Sequence, residues 1–451
     1  MQPYEELYGE DDSVAIFVVH GIGKQIQGET AAQLYGNLES ARTAIEKWQR
    51  RKGEVVAKPL AHLPYTKEGY WADYEKPEKT LADRWDSYTE DEKNFCRALW
   101  SGRVTSAGIT YRWFLRQIVR LWAHPFRLAK TTKLGFLVAW PLYLLLTLCA
   151  VPLLTIIYVR KRSLMRDYLN DIRLYVDPRV KVEKDIVTAV DKSIRTGIMA
   201  LIGLSPDFLI LKPEELPSAL GKKRRFDRVV WVAHSLGTVI SYNVLAELIG
   251  EALEYSKNGD TARKEGAARF QSCLARFVTL GSPLDKIAFL FEDRLVPWPN
   301  IDRNAFFSEN VDSVTVRFTR TEKDWWINFY HVLDPVSGTL EYDRLCHGKP
   351  PINLHTALLN IPGVAHTSYW KDLIPLRFIL SRAYGPKRLP DKPLVQWPTT
   401  VLTLLAAGSY VLWAAVMVIA LAVMAVWGWE LVQTTWERAT EIFANLGIPI
   451  S

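Results

Sequence analysis

Residues 13–19 read SVAIFVV, a β-branched apolar run that stops at His20-Gly21-Ile22-Gly23. Unbroken apolarity over so few residues, ended by glycines, predicts a strand buried on both faces and then a tight turn. Residues 31–48 change period: Leu34, Leu38, Ala41, Ile45 and Trp48 recur at helical spacing and predict a helix with one apolar face. The next run of this quality is RVVWVA at 228–233, followed by His234-Ser235-Leu236-Gly237 and a second helical pattern to about residue 248. Runs at 276–280 (RFVTL), 314–318 (VTVRF) and 326–332 (WINFYHV) continue the series. Strands alternating with helices predict an α/β fold, a mainly parallel sheet flanked by helices.

Two stretches fall outside that pattern. Residues 134–159 are 26 positions without a charge, and residues 393–429 are 37. Each exceeds the roughly 20 residues that cross about 30 Å of hydrocarbon as a helix, so both predict membrane segments rather than buried core helices, which are rarely apolar on every face. Upstream, residues 111–130 interleave Trp113, Phe114, Leu121, Trp122 and Phe126 with Arg112, Arg116, Arg120 and Arg127. That is the pattern of a basic interfacial helix, a packed surface helix being the alternative.

Charge sharpens this picture. The chain of 451 residues has Lys+Arg 56 against Asp+Glu 49, a net +7. Yet 13 basic residues and no acidic one lie from Lys93 to Arg166, which leaves −6 for the remainder. The basic excess borders an apolar segment, so it fits anionic lipid headgroups and disfavours nucleic acid. Lys222-Lys223-Arg224-Arg225 reads as a solvated surface turn. Cys96, Cys149, Cys273 and Cys346 form no C-x-x-C pair and have no His set at ligand spacing, so no zinc site, other metal, cofactor or disulfide framework is expected. The first twelve residues are polar and acidic and predict no export signal.

The candidate chemistry centres on Val232-Ala233-His234-Ser235-Leu236-Gly237, between a strand and a helix. A sharp strand-to-helix turn lifts a serine hydroxyl clear of the sheet, small residues at i−2 and i+2 let backbones approach, and the helix N-terminus adds partial positive charge. A serine N-cap on an ordinary helix is the simpler reading of the same residues. His20-Gly21-Ile22-Gly23 adds a loop whose amides at Ile22 or Gly23, with that of Leu236, can form an oxyanion hole.

With these pieces the chain resembles the α/β-hydrolase superfamily, in the strand-loop VVHGIG (18–23), the elbow VAHSLG (232–237), TLGSP (279–283), Asp334-Pro335-Val336 and His366. A weaker similarity extends to intracellular phospholipase-type and serine-esterase members. Ala233 departs from the commoner G-x-S-x-G form, though it is still small. The resemblance covers roughly residues 13–75 and 205–385. It implies a triad in the order Ser, acid, His: Ser235 as nucleophile, His366 as base, and Asp334 holding the imidazole. Asp285, one strand earlier, is the rival acid. His20 and His234 sit inside the motifs, and His331, His347 and His355 read as packing histidines.

From Gly23 to Ser235 is 212 residues, whereas two βαβ steps need about 60–80. A large insertion therefore occupies the place of a cap. The expected division is 1–75 and 205–392 for the hydrolase domain, 76–204 for a membrane-interacting insertion holding segment 134–159, and 393–451 for a C-terminal apolar helical segment and tail. Both flanks of 134–159 are basic, and both must reach one active site, so this segment is expected to enter the bilayer and return, broken at Pro141 or Pro152, with the catalytic domain on the cytoplasmic face. The expected function is a membrane-embedded serine hydrolase cleaving carboxylic esters of lipids or acylated molecules. A membrane thioesterase and a non-catalytic hydrolase-like scaffold are the alternatives.

Overall fold

Val14–Val19 (β1) is a fully buried strand whose side chains alternate between two cores: Val14, Ile16 and Val18 face one, Ala15, Phe17 and Val19 the other. A strand apolar on both faces needs a layer on each side, and the fold supplies both. The computed structural model describes residues 13–21, 26–51, 63–71, 85–90, 93–94, 174–176, 178, 181–216, 218–219, 222–290, 295–307, 313–317, 321–331, 334, 336–341, 345, 349–356, 364–384, 394–395 and 415. After β1 come α1 (Glu29–Arg51), β2 (Tyr65–Gly69), α2 (Lys181–Leu201), β3 (Arg228–His234), α3 (Leu236–Asn258), α4 (Thr261–Cys273) and β4 (Leu274–Leu280). Then follow α5 (Leu284–Leu290), β5 (Trp326–Tyr330), β6 (Ile352–His355), α6 (Val364–Thr367) and α7 (Leu373–Tyr384).

These six strands form one sheet in the order β6-β5-β4-β3-β1-β2, every neighbouring pair parallel. Helices α1 and α7 cover one face, α2, α3 and α4 the other. Parallel strands require crossovers, and all six carboxyl ends therefore point to one edge of the sheet, where loops from separate parts of the chain meet. Trp231 of β3 is fully buried under α3 and donates its indole N–H to Ser241 Oγ at 3.0 Å.

Several elements differ from the sequence expectation. Residues 313–317 are a strand, but they pair with 321–323 and 394–395 in a separate three-stranded sheet. Periodicity identifies a strand without saying which sheet accepts it. The edge strands β2 (YTKEG) and β6 (INLH) were not expected, because short sequences with polar positions carry little apolar signal. Helix α2 lies in the span assigned to the insertion, yet its buried face packs against β1 and β2. Residues 222–223 pair with 218–219 as a two-stranded hairpin.

The chain divides into two compact units, Met1–Ile118 with Ser163–Pro398, and Val119–Arg162 with Thr399–Ser451. The first contains the sheet. The basic stretch 111–130, segment 134–159 and nearly all of 393–451 lie outside the described residues, so the expectations placed on them stand as expectations. Among the described residues one helix, α3, is long and apolar enough to cross a membrane by composition, but 78% of its apolar window is buried within the fold. Its apolarity is accounted for by its place against the sheet.

Candidate active site

Ser235 follows the last residue of β3 and precedes the first of α3. Its backbone has φ 53° and ψ −130°, a region that L-residues rarely occupy. It stands at the N-cap position of α3, but its side chain makes no capping hydrogen bond, so the simple N-cap reading does not describe it. The turn is held by Ser235 N–H donating to Leu280 O of β4 at 3.1 Å, and by Thr238 Oγ1 donating to Ser235 O at 2.7 Å.

The glycines have a steric explanation. A Cβ on Gly237 would stand 2.2 Å from His20 O and 2.7 Å from Val19 O, and one on Gly21 would stand 2.6 Å from Ser235 Cβ. The elbow after β3 and the loop after β1 touch at these two positions, and only hydrogen fits there. That loop continues into Ile22 and Gly23, which lie outside the described residues. Leu236, the third residue expected to stabilise an oxyanion, opens α3, and the amides of a first helical turn have no carbonyl partner within the helix.

His366 arrives from α6, beyond β6. Its Nε2 is 2.8 Å from Ser235 Oγ and its Nδ1 is 2.9 Å from Asp334 Oδ2. Asp334 lies past the end of β5. The carboxylate of Asp285 instead accepts the Glu341 amide at 3.0 Å. Asp334 is buried, and burial opposes its ionisation; the hydrogen bond and charge of His366, with the Val336 amide and the Tyr369 hydroxyl, outweigh that and hold the carboxyl well below the usual range. Such a group is a carboxylate at neutral pH, suited to orienting an imidazole and stabilising its protonated form.

Tyr369 is the site residue that sequence reasoning missed. Its hydroxyl donates to Asp334 Oδ2 at 2.8 Å, accepts from the His331 amide at 2.9 Å, and lies 2.9 Å from Ser337 Oγ. The spacing His366, Tyr369 is one helical turn, a signal visible only once the short helix around it is known. The ring packs where Gly281, at φ +59°, leaves room: a Cβ there would stand 2.7 Å from Tyr369 Cε2. Lys286 of α5 donates to Ser337 O at 2.9 Å, and Asn328 of β5 donates to Gly338 O at 3.0 Å. The acid-bearing loop is thus tied to α5, to β5 and, through Tyr369, to the turn that follows α6.

The histidines within the motifs are structural. His234 Nε2 is 2.8 Å from His366 O, and burial, then the nearby His366, depress its pKa to about 3. His20 is pulled down to about 4 by burial and stacks on Trp71, ring centroids 4.9 Å apart. His331 lends its backbone to the acid loop, and His355 Nδ1 is 3.2 Å from Thr356 O. His347 lies outside the described residues. No group of His, Cys, Asp and Glu among the described residues is arranged to hold a metal ion.

No family model matches this chain, and no curated protein or solved structure matches it either.

Proposed function

We propose that the chain is a serine hydrolase of the α/β-hydrolase type that cleaves carboxylic esters of lipids or acylated molecules at a membrane. The observation that carries this is the continuous chain from Ser235 Oγ through both ring nitrogens of His366 to Asp334, with the serine on a strained strand-to-helix turn. Three groups from distant parts of the sequence have this arrangement for chemistry; packing alone does not require it. The strand order supports the same reading, since serine, acid and histidine follow β3, β5 and β6, at the carboxyl ends of a parallel sheet.

In this reading Ser235 Oγ attacks the ester carbonyl while His366 Nε2 takes its proton. The carbonyl oxygen becomes an oxyanion, stabilised by the Leu236 amide and by amides of the loop after Gly21. Collapse of this intermediate breaks the bond to the alcohol, which receives the proton from His366, and leaves an acyl-serine. Water, deprotonated by His366, then releases the acid and restores Ser235. Asp334 stays ionised throughout, steadied by Tyr369.

The membrane part rests on the two uncharged stretches and their basic flanks. An ester taken directly from a bilayer avoids exposing its chains to water, about 0.8 kcal/mol per CH₂. The deciding experiment is labelling of the detergent-solubilised protein by a fluorophosphonate probe. Labelling of wild type but not of Ser235→Ala is expected, and labelling that persists in the alanine variant would remove Ser235 as the nucleophile.

A further inference from the structure

A cavity of about 620 Å³ lies at the carboxyl end of the edge strand β2, walled by β2 and α2, and contains none of the triad residues. The sheet register explains its chemistry. Lys67 stands beside Phe17 and Glu68 beside Val18, so these neighbours are directed to opposite faces of the sheet. Glu68 is drawn toward α1, where the amides of Gly28, Thr30 and Ala31 surround its carboxyl and His20 Nε2 is 3.8 Å away. Lys67 goes to the α2 side, where small residues, Ser193, Thr196 and Gly197, leave the space open.

Lys67 is half-buried, and burial lowers its pKa. Among the described residues no carboxylate pairs with it. Lys192 of α2 supplies a second cation to the wall and Thr196 a hydroxyl, while the Ser193 hydroxyl donates to Tyr70 O at 3.3 Å and Glu68 borders the cavity with its carboxyl turned toward α1. A partly desolvated ammonium is unfavourable unless an anion meets it. Two lysines and the Thr196 hydroxyl suit a compact, multiply charged oxyanion better than a lone carboxylate.

The cavity is linked to the triad through the loop after β1. Trp71 borders it, stacks on His20 at 8° between planes, and donates Nε1–H to His20 O at 3.0 Å. The next residue, Gly21, packs on Ser235. We propose that this cavity binds a phosphate-type oxyanion through Lys67 and Lys192, carried as a headgroup on the ester or free in solution. Its role as a substrate subsite rests on the hydrolase reading; the anion site does not.

Calorimetric titration of the full chain in neutral detergent with inorganic phosphate and with glycerol 3-phosphate tests it. Binding of either is expected, weakened at least tenfold by Lys67→Met and retained by Lys67→Arg. Thr196→Glu places a carboxylate at an exposed position of the cavity and should weaken binding as much, so the test survives if Lys67→Met fails to fold. Tighter binding of glycerol 3-phosphate identifies a headgroup, and equal or tighter binding of inorganic phosphate identifies the free ion. Absence of binding of either by wild type, or unchanged affinity in Thr196→Glu, overturns the proposal. Phosphate binding that depends on Lys67 in a protein inert toward every ester would keep the anion site and remove the hydrolase.

Discussion

Ser235 holds a backbone conformation that costs a non-glycine residue about 1–3 kcal/mol. That strain presents the hydroxyl to His366, so removing it should stabilise the fold while ending the chemistry. Ser235→Gly is expected to be more stable than Ser235→Ala by about 1 kcal/mol in denaturant titration, with ester turnover lost in both. His366→Ala should approach the loss seen for Ser235→Ala, and the double variant should lose little more, because triad members act as a unit. Asp334→Asn should lose most turnover and Asp285→Asn little; the reverse would move the acid. The buried histidines give a pH signature of their own. Burial lowers His20 to about 4 and His234 to about 3, so their unfolded forms bind protons first. Their contribution is complete above about pH 6.5 and is lost as pH falls through those lower values, about 3 kcal/mol for His20. Unfolding midpoints should drop between pH 7 and pH 4, with a shallower slope in His20→Gln.

At the scale of elements, the site depends on two loops pressed against each other without side chains between them. Gly237→Ala would put a methyl 2.2 Å from His20 O, so the start of α3 or the loop after β1 must shift. A loss of about 1–3 kcal/mol in denaturant titration is expected, with turnover falling further than stability, because the displaced loop leads toward Ile22 and Gly23. Farther from the chemistry, the approach to β5 is fixed by the buried pair of Arg303 and Asp324, with Asp324 Oδ1 also accepting the Trp326 amide at 3.1 Å. Asp324→Ala should cost about 3–5 kcal/mol, since it leaves a buried guanidinium without its carboxylate. Because Asp324 precedes the start of β5 and Asp334 follows its end, that variant should lose activity through unfolding, with turnover per folded molecule largely kept.

For the whole molecule, the loop after β1 and the elbow after β3 belong to one site, yet segment 134–159 lies between them in the chain. In the membrane reading its two ends must return to one side. Single cysteines near Lys130 and Ser163, in a background lacking the native four, should react with an impermeant maleimide from the same side of sealed vesicles. Reaction from opposite sides would mean a true crossing, which no shared site survives. Basic flanks at Arg127, Lys130 and Lys133 and at Arg160, Lys161 and Arg162 give the same orientation.

What the sequence determined by itself was local: a strand ending in His20-Gly21, a strand-turn-helix at Ser235, and two stretches of 26 and 37 residues without a charge. Each is encoded within a dozen residues, where periodicity and turn chemistry act directly. Ser235, Asp334 and His366 could be nominated from such motifs, but Asp285 remained a rival because distance along a chain carries no distance in space. Only the tertiary structure decided that Asp334 reaches His366, that residues 313–317 leave the central sheet, and that YTKEG and INLH complete its edges. Tyr369 and Lys67 belong to the same class. A tyrosine acquires its role from the carboxylate opposite it, and a lysine from the face its strand presents, and both are set by packing between elements far apart in the chain.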